Sequence, residues 1–428
     1  MGNKFKFETL CLHAGQQPDP ATTARGVPLH RTSSYVFKSS KHAADLFALK
    51  EMGNIYTRIM NPTQDVLEQR IAALEGGAAA LALSSGTSAV YYTIINICEA
   101  GDDIVSASNL YGGTYTMFDC ILPQFGIHTH FADSTDPESF DRAITEKTRA
   151  VYIETIGNPA LDFTDIGAIA EIAQRHHLPL IVDATFTTPY LLKSIEYGAD
   201  IVVNSLTKWM GGHGTGIGGI VVDSGKFDWQ DPKFKLYNEP DPSYHDIRYA
   251  HDLGDMNPIA FILRMRLVPL RNLGACISPD NAWMFLQGLE TLPLRMQRHC
   301  ENAAEVARFL KAHPKVAWVR YPGLRDDPAY PVASRYLKNG FGGMVVFGIK
   351  GGLEAGRQFV DSLKLFSHLA NVGDAKSLVI HPASTTHSQL SEEQQRDGGL
   401  TPDLVRLSIG LENIDDIKKD LDQAFGRT

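Results

Sequence analysis

Short apolar runs alternate with amphipathic stretches through the middle of the chain. Because strands buried on both faces of a parallel sheet are continuously apolar, these runs predict strands, and the stretches between them predict helices. Alternation of this kind predicts an α/β fold with a mostly parallel sheet and helices on both faces. The runs that end in turn residues are 79–83, 103–107, 127–131, 150–154, 180–182, 199–203 and 220–222.

The pattern divides the chain into three parts. Residues 1–62 are rich in Thr, Ser, Pro and Gly with one short helix candidate at 43–50, which predicts an N-terminal arm packed on another part of the protein. Residues 63–277 carry the alternating runs and predict the main domain. From 278 to 428 a long helical stretch at 281–313 precedes a few strands and a last helix, which predicts a smaller C-terminal α+β domain.

Composition narrows the class of protein. The 428 residues are 43% hydrophobic and 21% charged, which is typical of a globular protein. A formal net charge of -9 gives no basic surface for nucleic acid or an anionic membrane, and no apolar run reaches membrane-spanning length. Five scattered cysteines indicate neither a disulfide framework nor a zinc site. We therefore expect a cytoplasmic protein that acts on small molecules.

Polar residues follow two of the predicted strands where each strand ends. Asp183 follows one, and Ser205, Thr207 and Lys208 follow another. Ligands of such sheets bind at the carboxyl ends of the strands. A lysine that forms a Schiff base, a carboxylate that keeps a pyridine nitrogen protonated and hydroxyls that bind a phosphate together suit pyridoxal phosphate. The alternative is a turn cap and a solvated surface amine.

A second candidate anion site lies at 84–88, Ser-Ser-Gly-Thr-Ser, between a predicted strand and the helix that begins near Ala89. Backbone N–H groups at such a helix start can bind a phosphate, although the same letters also suit a plain helix cap. The later glycine-rich stretch 211–219 is not a dinucleotide loop, because an apolar strand follows it where that fingerprint requires a helix.

These motifs, in this order, resemble the Cys/Met-metabolism family of fold-type-I pyridoxal phosphate enzymes along essentially the whole chain. Within the family the chain is most similar to the O-acetylhomoserine sulfhydrylase (aminocarboxypropyltransferase) branch. The similarity rests on Pro-Ser-Tyr-His at 242–245, on the string from Asn371 to His387 and on Gly113. Lyase branches typically carry serine where Asn371 stands, and methionine γ-lyases carry cysteine at the position of Gly113.

The resemblance implies roles for individual residues. Lys208 is expected to hold the cofactor and to move protons between two substrate carbons. Tyr111 is similar to the tyrosine that stacks on the pyridine ring and exchanges a proton with the leaving group. Besides these two, the residues expected to bind the cofactor are Asp183, Ser205, Thr207, Gly86, Thr87, Asn158, Tyr56 and Arg58.

Two of these implied roles have simpler alternatives. Tyr56 and Arg58 lie in the arm and resemble a pair that reaches the phosphate of a neighbouring subunit, so the resemblance implies a homodimer or homotetramer with shared active sites. A solvated pair on a loose arm is the alternative. Asn158 resembles the asparagine beside the cofactor's phenolic oxygen, and its alternative is a turn before Pro159.

Arg406 interrupts the apolar run 404–409. A guanidinium in such a run costs desolvation unless it meets an anion, and its planar fork suits an amino acid's carboxylate. An internal salt bridge is the alternative. By resemblance Asn371 and Ser377 complete the carboxylate pocket. The histidines at 381 and 387 lack metal-ligand spacing, so we predict no metal site.

The function that the resemblance implies is a γ-replacement: O-acetylhomoserine and sulfide, or a small thiol, give homocysteine, or methionine, and acetate. Cystathionine γ-synthase and methionine or cystathionine γ-lyase remain alternatives within the family. A cofactor-binding protein without activity and an aminotransferase are the alternatives from other classes. Acetyl and succinyl esters, the identity of the sulfur donor and a lyase side activity all stay open.

Overall fold

The computed structural model describes residues 5–157, 159–385 and 401–428. Its strands are β1 (Ala79–Leu83), β2 (Asp103–Ala107), β3 (His128–Ala132), β4 (Thr148–Glu154), β5 (Leu180–Asp183), β6 (Ile201–Ser205), β7 (Gly219–Asp223), β8 (Val316–Arg320), β9 (Met344–Ile349), β10 (Ser367–His368), β11 (Leu378–Ile380) and β12 (Leu404–Ser408). Its α-helices are α1 (Phe7–His13), α2 (Ser40–Phe47), α3 (Pro62–Glu75), α4 (Gly86–Ile95), α5 (Gly112–Thr116), α6 (Pro137–Ala143), α7 (Ile166–Arg175), α8 (Thr188–Leu191), α9 (Lys235–Asn238), α10 (Ala260–Met265), α11 (Arg271–Leu273), α12 (Pro279–Glu290), α13 (Leu292–Ala312), α14 (Tyr330–Tyr336), α15 (Gly352–Ser362) and α16 (Ile414–Phe425).

Seven strands form the first sheet, in the order β1-β7-β6-β5-β4-β2-β3. The five consecutive strands β6-β5-β4-β2-β3 run parallel to one another, which confirms the mostly parallel sheet. β7 is antiparallel to both β1 and β6, which the sequence did not predict. The connection from β6 to β7, residues 206–218, contains no helix, and a crossover to a parallel strand normally needs one.

Helices cover both faces of this sheet. Side chains alternate between the two faces of a strand, so Asn204 and Ser205 at the end of β6 point to opposite sides. Asn204 contacts Glu75 at the end of α3, whereas Ser205 lies against Gly86 at the start of α4. α3 and α4 therefore lie on opposite faces, as the α/β prediction requires.

The second sheet has five strands in the order β10-β11-β12-β9-β8, and every pair except β10 with β11 is antiparallel. All six residues of β9 are buried. The aromatic rings of Phe347, Phe359 and Phe425 meet in a second hydrophobic core, which α13, α15 and α16 cover. One mostly parallel sheet and one mostly antiparallel sheet agree with the predicted main domain and smaller C-terminal domain. The domain limits 63–277 and 278–428 remain predictions.

The long helix predicted at 281–313 is two helices. α12 ends at Glu290, α13 begins at Leu292, and Thr291 lies between them. Pro293 stands in the first turn of α13, where a missing N–H costs no hydrogen bond. The stretch is therefore completely broken between the two helices.

The N-terminal segment contains α2, near the predicted helix at 43–50, and also α1, which the sequence did not predict. α1 packs on α3 and α12 and buries Leu10 and Cys11 in the first core. Most of the residues from 16 to 39 are exposed or half-buried. No helix of the described residues combines the length and apolar character needed to cross a membrane.

Candidate active site

The predicted lysine and acid lie at one edge of the first sheet. β5 ends at Asp183, and β6, its hydrogen-bonded parallel neighbour, ends at Ser205. The chain then makes a turn in which Lys208 N donates to Ser205 O at 3.3 Å and Gly212 N donates to Lys208 O at 2.7 Å. The two groups that the strand pattern placed at one edge are therefore brought together.

Lys208 is partly buried, and its Nζ donates a hydrogen bond to Asn371 Oδ1. Burial, and to a smaller extent the positive charge of Arg406, lowers the pKa of Lys208 from 10.5 to about 8. An amine with such a pKa is partly neutral near pH 7 and can act as a nucleophile or a base. The surface-amine alternative for Lys208 does not fit this environment.

Asp183 is held by two donors. Its Oδ1 accepts from Thr185 N at 2.9 Å, and its Oδ2 accepts from the Tyr152 hydroxyl at 3.3 Å. Burial raises the pKa of Asp183, and burial and then the Asp183 charge raise the pKa of Glu154, its neighbour across the β4–β5 register. A cationic N–H group beside Asp183 would offset that burial.

Tyr152 has a role that the sequence did not indicate. It is buried in β4, and burial together with the nearby acids raises the pKa of its phenol well above 10.0. The hydroxyl therefore stays protonated and donates to Asp183. The sequence signal for this role was one tyrosine among the aliphatic residues 150–153.

The start of α4 is the candidate anion-binding end. Ser85 caps the helix by accepting from Ser88 N at 3.0 Å, and the N–H groups of Gly86 and Thr87 belong to the first turn, which lacks intrahelical acceptors. Gly86 lies so close to β6 that a Cβ on it would be 2.7 Å from Ser205 Cβ. The Ser205 hydroxyl therefore joins the backbone donors.

The Thr207 hydroxyl, which was predicted to bind phosphate, forms hydrogen bonds to the backbone in this structure. Its Oγ1 donates to Gly218 O at 3.3 Å and accepts from Gly218 N at 3.1 Å. These bonds tie the turn after β6 to the start of β7. A phosphate contact by this hydroxyl remains a prediction.

Tyr111 precedes α5, and 53% of its surface is exposed. Its backbone N–H donates to Glu154 Oε1 at 2.7 Å, so the buried carboxylate fixes the start of this helix. The ring folds over Gly113, where an added Cβ would lie 2.5 Å from Tyr111 Cε1. The Tyr111 phenol also raises the pKa of Arg406, which indicates that the two side chains lie near each other.

Arg406 occupies the centre of β12, between Val346 of β9 and Ile380 of β11. Burial lowers the pKa of Arg406 to about 10, which leaves the guanidinium charged at neutral pH. Its charge acts on the pKa of Lys208, and the Tyr111 phenol acts on the pKa of Arg406, so Arg406 lies near both side chains. The second sheet thus faces the edge of the first with a cation.

Ser377 is fully buried rather than open to a substrate. Its Oγ donates to Glu412 Oε2 at 2.9 Å and accepts from Gly410 N at 2.9 Å, and its N–H donates to Glu412 Oε1 at 2.7 Å. The hydroxyl's proton is already used inside the protein. This geometry suits a residue that shapes the loop carrying Asn371, rather than one that meets a substrate directly.

The remaining predicted residues lie apart from this group or outside the described residues. Arg58 lies over the Tyr56 ring at 5.2 Å from its centroid, and neither side chain bonds to a group at the anion-binding end within the described chain. Asn158 and His387 fall outside the described residues. His381 is bonded to Ser384 Oγ and Pro402 O, and the described residues contain no group of metal-ligating side chains.

The arrangement fits pyridoxal phosphate. The α4 start and Ser205 supply donors for a phosphate, Lys208 supplies an amine of lowered pKa, and the buried Asp183 matches a protonated ring nitrogen. Gly86 provides the cradle, since a side chain there would collide with Ser205.

Known proteins resemble the whole chain. A family model described as Cys/Met metabolism PLP-dependent enzyme matches residues 8–426. An O-acetyl-L-homoserine sulfhydrylase of Leptospira meyeri is 57% identical over 99% of this chain and 98% of its own. A homocysteine synthase of Schizosaccharomyces pombe is 52% identical over 98% of each chain.

A solved structure from Campylobacter jejuni contains N'-pyridoxyl-lysine-5'-monophosphate and superposes with a TM-score of 0.95. Its sequence is 41% identical, and the match covers 99% of this chain and 100% of that one. The family, its cofactor and its fold therefore agree with the geometry around Lys208. This chain belongs to the family of Cys/Met metabolism PLP-dependent enzymes.

Proposed function

We propose that the protein is a pyridoxal phosphate-dependent transferase that replaces the acetoxy group of O-acetylhomoserine with sulfide, giving homocysteine and acetate, or with a small thiol, giving methionine in the case of methanethiol. The observation that carries the proposal is the hydrogen bond from Lys208 to Asn371 beside Arg406. This bond connects Lys208, proposed to act at the substrate's amine end, with Asn371, proposed to bind the substrate's carboxylate. End-to-end similarity to relatives named for this reaction supports the choice of substrate and a place in methionine biosynthesis.

The substrate's carboxylate binds Arg406, whose planar fork matches its two oxygens. Asn371 accepts from Lys208 in this structure and is placed to donate its amide N–H to the same carboxylate. Ser377 holds the loop between Asn371 and the strand before Arg406 through Glu412.

Pyridoxal phosphate, when bound, supplies an electron sink for negative charge that develops on the substrate's carbons. Lys208 anchors it, Asp183 holds its ring nitrogen, and the α4 start with Ser205 and Thr207 binds its phosphate. Asn158 is assigned to its phenolic oxygen by resemblance alone.

Proton movement is the task of two side chains. The Lys208 amine, whose pKa is lowered to about 8, would accept the proton from Cα, pass it on to the bound cofactor and, neutral again, accept a proton from Cβ. Tyr111 covers the ring and donates a proton to the departing acetate. Its exposed position and its backbone bond to Glu154 leave the phenol free for this role.

The activity is tested with purified protein supplied with pyridoxal phosphate, O-acetylhomoserine and sulfide. Homocysteine is expected only when sulfide is present, and Lys208→Ala abolishes it. Production of 2-oxobutyrate and ammonia as main products in the presence of sulfide would replace the proposal with a γ-lyase. Cystathionine formed from cysteine faster than homocysteine from sulfide would replace it with a cystathionine synthase.

The protein is further proposed to form a homodimer or homotetramer with shared active sites. Tyr56 is 40% exposed, and it lies with Arg58 on a segment that has few buried residues of its own. In an assembly this pair would reach the phosphate in a second copy. The five cysteines form no disulfide, which supports the proposal of a cytoplasmic location.

Mixing two inactive variants tests the sharing. Lys208→Ala lacks the amine, and Arg58→Ala lacks the arm's cation, so a hybrid assembly contains some sites that are intact in both respects. Recovery of activity after joint refolding is expected, up to the statistical fraction of intact sites. Absence of recovery, with hybrids demonstrated by mass spectrometry, would show that each chain builds its own site.

A further inference from the structure

The turn that carries Lys208 ends in carbonyl groups that need donors. Gly212 N donates a hydrogen bond to Lys208 O at 2.7 Å, and Gly211 N donates one to Leu206 O at 3.0 Å. The next two carbonyls, of Trp209 and Met210, point toward α13. Because they end a helix-like turn, they carry partial negative charge and are costly to bury without a partner.

Arg295 of α13 supplies the missing donors. Its Nη1 donates to Trp209 O at 2.7 Å, and its Nη2 donates to Met210 O at 3.0 Å. The same Nη2 donates to Gly288 O at 2.6 Å, and Nε donates to Thr291 Oγ1 at 3.2 Å. One guanidinium thus joins the lysine turn to the end of α12 and the start of α13.

Glycines make room for this guanidinium. Gly212 has a φ of +72°, and a Cβ on it would lie 2.0 Å from Arg295 Nη1. A Cβ on Gly288 would lie 2.4 Å from Gly211 O. The turn and the two helices therefore approach at backbone distance, and the slot fits a planar group.

Arg295 has neutral partners. Its relative exposure is 5%, and burial lowers its pKa to about 10. Within the described ranges no carboxylate forms a salt bridge with it, and the buried Cys11 thiol is the titratable group that bears on its pKa. The charge is therefore compensated by carbonyl dipoles, which works only while the turn keeps its shape.

The clamped turn is also tied to the loop of Asn371. Ala375 N donates to Gly212 O at 2.8 Å. Gly373 packs so closely that a Cβ on it would lie 2.6 Å from Trp209 N. The backbone that Arg295 holds thus sets both ends of the Lys208–Asn371 hydrogen bond.

We propose that Arg295 is a positioning residue for Lys208: its guanidinium fixes the turn so that the amine lies between the cofactor site and the Asn371–Arg406 pocket. The proposal rests on the function proposed for Lys208. Lysine in place of Arg295 would keep the charge, but its single nitrogen cannot span the carbonyls of Trp209, Met210 and Gly288 together.

The test compares Arg295→Lys and Arg295→Met with Arg264→Lys in the full-length chain. Arg264 is a matched control because it is also buried and bonds to neutral acceptors, Leu236 O at 3.1 Å and Asn96 Oδ1 at 2.8 Å, and Asn96 lies at the opposite end of α4 from Gly86. Each protein is stripped of cofactor and mixed with pyridoxal phosphate. Borohydride trapping and peptide mass spectrometry then give the rate of attachment at Lys208 as a function of pH.

Both Arg295 variants are expected to attach the cofactor about tenfold or more slowly, since small misplacements of a reacting group have effects of this size. The midpoint of their pH profile should move up from about 8, because the amine leaves its buried position beside Arg406. Arg264→Lys should keep both the rate and the midpoint of the parent protein.

Folded Arg295 variants with the parent's rate and midpoint would overturn the proposal, as would equal changes in Arg264→Lys. If one Arg295 variant fails to fold, the other decides the question. Attachment does not depend on sulfhydrylase activity. A parent protein that attaches the cofactor normally but makes no homocysteine would therefore refute the proposed function and leave the role of Arg295 standing.

Discussion

Glu75 offers a prediction whose magnitude follows from the structure. It is the last residue of α3 and is fully buried, and its Oε1 accepts from Asn204 Nδ2 at 3.2 Å. Glu75 Oε2 and Asn204 Oδ1 are both buried without a hydrogen-bond partner within the described chain. Burial raises the pKa of Glu75 from 4.5 to about 8, against smaller opposing effects of the Asn204 bond and the Lys193 charge. At neutral pH the side chain is therefore a neutral acid.

The raised pKa determines how stability depends on pH. Between pH 4.5 and 8 the folded protein keeps a proton that the unfolded chain releases, so this contribution to stability is complete at low pH and falls as the pH rises. Between pH 5 and pH 8 the loss is about 4 kcal/mol, at about 1.4 kcal/mol for each pH unit.

Glu75→Gln removes the titration while keeping the shape of the side chain. An amide can accept from and donate to Asn204, so the variant should match the parent near pH 5 and gain on it steadily up to pH 8. With unfolding entropy of about 2.1 cal/mol/K per residue over 428 residues, about 4 kcal/mol corresponds to a difference in Tm of about 4 to 5 °C.

Thermal melting followed by circular dichroism from pH 5 to pH 8.5 measures this difference. Glu171→Gln, on the exposed side of α7, is the control and should melt parallel to the parent. A Glu75→Gln variant whose Tm stays at a constant offset from the parent over this range would show that Glu75 is not a buried neutral acid. Loss of stability at every pH would point the same way.

Two further predictions concern the space around the lysine. Gly113→Ala should lower kcat about tenfold, because the added methyl displaces the Tyr111 ring, and unchanged steady-state kinetics would contradict the assignment of that ring. In cofactor-free protein an amine-acylating reagent should modify Lys208 with a midpoint near pH 8. Arg406→Gln should raise that midpoint, since a positive charge that opposes protonation is gone; a midpoint that falls or stays would refute their proximity.

The first sheet was largely predictable because each of its strands is a continuous apolar run. The limits 79–83 and 103–107 agree with β1 and β2, and the other runs differ from their strands by one or two residues at one or both ends. The same logic placed Asp183 and Lys208 at one edge, since the carboxyl ends of parallel neighbours lie together. The reversed direction of β7 depends on the turn after Lys208, which apolar patterning does not describe.

The other half of the site could not be derived from local patterns. Arg406 belongs to the second sheet, and its place opposite Lys208 depends on how the two sheets pack, which only the family resemblance indicated. Ser377 was expected at the substrate, but its hydroxyl is bonded to Glu412, a partner distant in sequence. The roles of Arg295 and Glu75 were not predicted, because isolated charged residues in helices are usually solvated.

The position of β12 in the second sheet has a consequence for biosynthesis. It lies between β9 and β11, yet it is the last strand along the chain. At roughly 5 to 20 residues per second, several seconds pass between synthesis of β9 and of β12. During that time one edge of β9, a strand of six buried residues, has no partner within the second sheet. The nascent chain is therefore most exposed to aggregation just before the strand that carries Arg406 is completed.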